Sequence, residues 1–91
     1  MDKARVRLSQ ILFRDVNKQI AEITRTQHQL ASEFLCECGR PDCATVLKLE
    51  LTDYEEIRTD ERLFIAAPDH CVEGIDRKVE ERQGYEVLVQ I

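Results

Sequence analysis

From Lys3 to Leu35 the chain contains no glycine or proline, and its apolar residues keep a helical period. Val6, Phe13, Val16, Ile20, Ile23, Leu30 and Phe34 recur at alternating three- and four-residue spacing, with Ser9 and Gln27 at the polar positions of the same stripe. Leu8, Ile11 and Leu12 widen the stripe near its start. The pattern predicts one amphipathic helix over residues 1–35, about 50 Å long at 1.5 Å per residue. A helix of that length outruns the rest of the chain. The stripe therefore packs on its own domain, pairs with a second copy in a coiled coil, or docks on a foreign protein. If the helix pairs, Gln27 at the seam would help to fix register.

Beyond residue 35 the period changes. Thr45 to Leu51 alternates apolar and polar residues and reads as a strand with one buried face. Thr52-Asp53-Tyr54-Glu55 has the form of a capping box, which predicts a short helix from Asp53 to Arg58. Arg62 to Ala66 reads as a second strand stopped by Pro68, and Ile75 to Ile91 as a hairpin turning at Arg82-Gln83-Gly84. The fold expected is α+β: a long N-terminal amphipathic α-helix, then a small zinc-stapled antiparallel β-sheet domain over 36–91 with one short helix.

Composition leads one to expect a staple. The chain has 91 residues, aromatics are 5% and tryptophan is absent, so the apolar core is thin. Domains of this size often rely on a metal, a disulfide or a second subunit. The opening Met1-Asp2-Lys3-Ala4-Arg5 has no apolar run behind it, and no stretch approaches the roughly 18 apolar residues of a membrane span. The expected compartment is the cytoplasm, where thiols stay reduced. The net charge of −5 is unevenly spread, with +3 over residues 1–30 and −8 over the remainder. An acidic body of that kind argues against a nucleic-acid-binding domain.

The chemistry sits in Cys36-Glu37-Cys38-Gly39-Arg40-Pro41-Asp42-Cys43 and in Asp69-His70-Cys71. Thiols one residue apart do not close comfortably into a disulfide, but they can bind one tetrahedral cation when a turn returns a third sulfur. Gly39 permits the positive φ such a knuckle needs, and Pro41 stiffens the return to Cys43. The fourth ligand is His70 or Cys71. His70 is preferred because it follows the Pro68-Asp69 turn, where Asp69 is placed to orient an imidazole, whereas Cys71 reads equally well as a plain buried thiol. The expected site is Cys36, Cys38, Cys43 and His70 around Zn(2+), with His28 solvated. A redox thiol pair and an iron–sulfur cluster are the competing readings. Glu37 and Asp42, opposed by Arg40 alone, disfavour a reactive free thiolate.

These segments resemble a group of small, uncharacterised bacterial proteins commonest in actinobacteria. The resemblance rests on Phe13 to Ile20, Phe34-Leu35-Cys36-Glu37-Cys38, Cys43, Asp53 to Arg58, Phe64 and Pro68-Asp69-His70, and covers most of residues 13–91. It implies a Phe-x-Cys-Glu-Cys…Cys…Pro-x-His zinc pattern. Two positions depart from it. Asp69 stands where glycine often precedes the histidine, and Cys71 stands where an acidic residue is usual, which favours His70 as the ligand. The group has no settled biochemical role.

A site with three thiolates is a poor Lewis acid, and the chain lacks His-Glu-x-x-His, a glycine-rich phosphate loop, Gly-x-Ser-x-Gly and a deaminase Pro-Cys-x-x-Cys. The sequence therefore predicts a non-catalytic regulatory or adaptor protein with structural zinc, acting as a homodimer or on a protein partner through the N-terminal helix, with no membrane partner. The alternatives are a nucleic-acid-associated transcriptional regulator, through the basic arm, and a thiol/zinc redox sensor.

Overall fold

A computed structural model describes residues 2–91. Helix α1 runs Lys3–Thr26, with the Asp2 carboxylate accepting from the Ala4 and Arg5 amides at its N-terminus. Its end is the first departure from the sequence reading. His28 adopts φ 57°, its N–H donates to Arg25 O, and Gln29 N–H donates to Thr24 O. These two bonds form a Schellman motif with histidine at the left-handed position that glycine normally takes. The chain then reverses, and Ala31–Leu35 becomes strand β1 rather than the last turns of the helix. The expected helical span over 1–35 is corrected accordingly. His28 is exposed, as expected, but it terminates the helix instead of lying within it.

Strand β1 pairs antiparallel with β2 (Val46–Glu50), with Ala31 opposite Glu50 and Leu35 opposite Val46. The chain passes directly into α2 (Leu51–Arg58), whose first amide donates to Leu30 O at 2.8 Å. The capping box is not formed. Glu50 is the N-cap, no side chain caps the helix, and Glu55 turns instead to Arg25. Strand β3 (Leu63–Ala66) follows, then the hairpin of β4 (Asp76–Arg82) and β5 (Tyr85–Gln90), turned through Gly84 at φ 89°. All pairs in the second sheet are antiparallel, with β5 central in the order β3-β5-β4. The protein is α+β, with one long helix, antiparallel sheets and one short helix.

The core is built from Phe34, Leu47, Leu49, Tyr54, Ile57, Phe64, Ile65, Val87 and Leu88, with the Phe34 and Tyr54 rings stacked at 4.4 Å. At 1.5 Å per residue, α1 is about 36 Å long. It thus matches the 39 Å long axis of the molecule and does not overrun it. The helix docks on its own domain, but one residue round from the expected stripe. The line that faces inward is Val6, Gln10, Phe13, Asn17, Ile20 and Thr24, and three of its six members are polar and buried. Val16 and Ile23, assigned to the seam by the apolar pattern, are displaced toward solvent, and Ile23 is 57% exposed. Burying Gln10 is favourable because its amide donates to the buried Asp76 carboxylate at 2.6 Å and accepts from Gln90 at 2.8 Å. Among the described residues, no helix is long and apolar enough to cross a membrane.

Candidate metal centre

The segment leaving β1 carries Cys36 and Cys38 into the interior. Cys36 N–H donates to Thr45 O and Glu37 N–H to Ile65 O at 2.7 Å, which ties the knuckle to both sheets. Gly39 turns the chain at φ 78°. A β-carbon there would lie 2.5 Å from Val6 O, so the knuckle can fold only with glycine against α1. A turn closed by Cys43 N–H to Arg40 O returns the third thiol. From the other side, the segment after β3 turns at Asp69, φ 67°, and brings in His70. That φ is one glycine adopts freely, and aspartate is among the few other residues that tolerate it.

The structure brings Cys36, Cys38, Cys43 and His70 together. Their ligand atoms all lie within 4.8 Å of one another, with the first two residues buried and the last two half-buried. His70 Nδ1 is 3.6 Å from Cys36 Sγ and 3.5 Å from Cys43 Sγ. A tetrahedral zinc with Zn–S of about 2.3 Å and Zn–N of about 2.0–2.1 Å sets an S···N edge of about 3.6 Å. The observed edges match it. The four donors are thus placed to hold one metal ion between them.

Backbone amides support the sulfur charge. Ala67 N–H donates to Cys36 Sγ at 3.1 Å and Arg40 N–H to Cys38 Sγ at 3.4 Å. The contact between the Cys36 and Cys38 side chains raises the first thiol and lowers the second. All four cysteines are free of disulfides.

Cys71 is excluded from the cluster. Its thiol donates to Asp76 Oδ1 at 3.1 Å and Asp76 O at 3.3 Å, and burial followed by the Asp76 contact pushes it up to about 11. Asp69 makes no hydrogen bond to the imidazole among the described residues; its contribution is the backbone turn.

The sequence reading took Glu37 as a charge flanking the thiols, and this is corrected. Its side chain turns away from the cluster and is fully buried, accepting from Asn17 Nδ2 at 2.7 Å and Ile65 N–H at 2.9 Å, with Arg58 Nη1 at 3.8 Å. Burial pushes this carboxyl up to about 7, against the lowering effect of those partners. The burial of Asn17 and Gln10 is not legible in the sequence, because a polar residue next to an apolar stripe carries no signal of its own burial.

The fold and cluster together define an α+β protein with a Cys3His constellation able to hold one metal ion. No family model matches the chain, and no curated protein or solved structure shows significant similarity to it.

Proposed function

We propose that this protein is a non-catalytic regulatory or adaptor module of the cytoplasm, in which zinc staples the fold and the N-terminal helix carries the interaction. The observation that carries the reading is the convergence of Cys36, Cys38, Cys43 and His70, their ligand atoms within 4.8 Å of one another. Zinc held there would cross-link the end of β1, the Gly39 turn and the segment after β3, which a core this small joins only weakly. The resemblance to the Phe-x-Cys-Glu-Cys…Cys…Pro-x-His proteins supports the same ligand set. Four free thiols suit a reducing compartment.

The interaction face is the apolar line left over when α1 rotated onto its domain. Leu8, Leu12, Val16 and Ile23 lie along one side of the helix, and Leu8 is 67%, Leu12 59% and Ile23 57% exposed. A second copy of the chain or a different protein would cover them.

Metal content of protein purified without chelator tests the first half of the proposal. One zinc per chain, lost in Cys38→Ser and His70→Ala and kept in Cys71→Ala, is the expected result. A chain that folds without metal would overturn it.

A redox-sensing role is favoured by one feature. Cys43 and His70 border an open cavity of about 400 Å³ with Arg40, Pro41 and Asp42, so an oxidant can reach the third thiolate. Reversible zinc release by mild peroxide, before any unfolding, would select this role over a purely structural one.

A further inference from the structure

The knuckle that carries the first two thiols is built directly against α1, and its residues alternate in what they face. Leu35 N–H donates to Asn17 Oδ1 and Leu35 O accepts from Asn17 Nδ2, both at 2.8 Å. The Glu37 carboxylate accepts from the same Nδ2 at 2.7 Å. Gly39 lies so close to the helix that a β-carbon on it would stand 2.5 Å from Val6 O and 2.9 Å from Gln10 Cγ. Residues 35, 37 and 39 thus rest on α1. The two between them, Cys36 and Cys38, converge with Cys43 and His70. Successive side chains of extended backbone point to opposite sides, so a contact that fixes Leu35 and Glu37 also aims the sulfurs beside them.

Water does not compete for these contacts. Asn17, Glu37, Cys36 and Cys38 are each no more than 1% exposed. β2 pairs with the opposite edge of β1, and on this edge the Asn17 amide stands in for a neighbouring strand.

Taking the cluster as the metal site proposed above, we infer that Asn17 is a positioning residue for it, acting through Leu35 and Glu37 to set the direction of the Cys36 and Cys38 sulfurs. Groups that orient a metal's ligands without touching the metal change affinity by about 10–100-fold when they are lost. Such coupling is reciprocal. A seated helix steadies the ligands, and a loaded site steadies the seat of the helix whose outer side carries Leu8, Leu12 and Ile23. A partner that draws α1 away from Leu35 would therefore loosen the metal.

The test uses the full chain loaded with Co(II), whose visible bands report ligand type and geometry at a tetrahedral sulfur and nitrogen site. Affinity falls with any loss of stability when binding and folding are linked, so the deciding reading is the spectrum at full loading. Ile57→Ala, in the core on a helix that supplies no ligand, is the control for lost stability alone. Asn17→Ala should shift the bands and lower their intensity, whereas Ile57→Ala should keep the wild-type spectrum. If either variant fails to fold, Asn17→Ser is read against Ile57→Val for the same difference. A wild-type spectrum from the Asn17 variant, or the same change from the Ile57 variant, would overturn the inference and leave the metal site standing. Wild-type protein that takes up no cobalt would sink the metal reading and this inference with it.

Discussion

Asn17 on the long helix makes three hydrogen bonds to the strand that leads into the cysteine knuckle. Its Nδ2 donates to Leu35 O at 2.8 Å and to Glu37 Oε2 at 2.7 Å, and its Oδ1 accepts from Leu35 N–H at 2.8 Å. One amide thus mimics a strand partner for Leu35 and neutralises a lone pair of a carboxylate that is wholly out of water. Asn17→Ala leaves all three groups unsatisfied and should lower stability by about 2–4 kcal/mol in urea denaturation. Asn17→Asp should be worse than alanine, because it sets a second carboxylate against Glu37. Equal stability for the two variants would show that the pair is not charge-sensitive.

Gly39 and Asp69 share a positive φ but should respond in opposite directions. Gly39→Ala adds a β-carbon 2.5 Å from Val6 O, and backbone cannot yield as a side-chain tip can. A loss of about 2–4 kcal/mol is expected, together with weakened metal retention. Asp69→Gly relieves φ 67° and should raise stability by about 0.5–1 kcal/mol. Thermal melts of the two zinc-loaded variants check both signs.

Cys71 is a bystander thiol. Cys71→Ser replaces one donor to Asp76 by another and should keep full metal content with a stability change within about 1 kcal/mol. At neutral pH the native Cys71 stays protonated, so alkylation by iodoacetamide should be slow. Rapid alkylation at Cys71, mapped by mass spectrometry, would contradict its placement.

Tyr54 gives a pH signature. Burial, and then the Glu37 charge, push its phenol from 10.0 up to about 12. A group whose ionisation is harder in the folded chain favours folding while it stays protonated. Its contribution is therefore complete below pH 10 and is lost as pH rises from 10 to 12. Absorbance at high pH should show one of the two tyrosines ionising late, and Tyr54→Phe should abolish that late step. Because the hydroxyl is buried without a partner, Tyr54→Phe should hold or raise stability at neutral pH, by up to about 1 kcal/mol.

The helix face provides a check independent of the metal. Leu12→Glu and Ile23→Glu place charge on exposed positions that touch no core, so stability should change by less than about 0.5 kcal/mol. If the face is an interface between copies, sedimentation should show wild-type dimers and monomeric variants. Identical sedimentation would mean that the face is covered by a different protein or by none.

The clustering of Cys36, Cys38, Cys43 and His70 was legible in the sequence because metal chemistry constrains residue type and spacing directly. Three thiols within eight residues, a glycine for the left-handed turn, and a histidine after a proline turn leave few other geometries open. Strands β2 and β3 and the final hairpin were legible for a similar reason, since alternation and turn residues are local signals. The end of α1 was not. A histidine in the left-handed conformation stops the helix at Thr26, and nothing local distinguishes it from a helical histidine until β2 is present to pair with residues 31–35. The docking face of α1 was hidden for a deeper reason. The apolar pattern selects the most hydrophobic stripe, whereas the fold selected the stripe whose amides satisfy Leu35, Glu37 and Asp76. Burying those acceptors unpartnered would cost more than exposing Val16 and Ile23. Sequence periodicity determines that a helix is amphipathic; the polar groups waiting on the opposing surface decide which of its faces is buried.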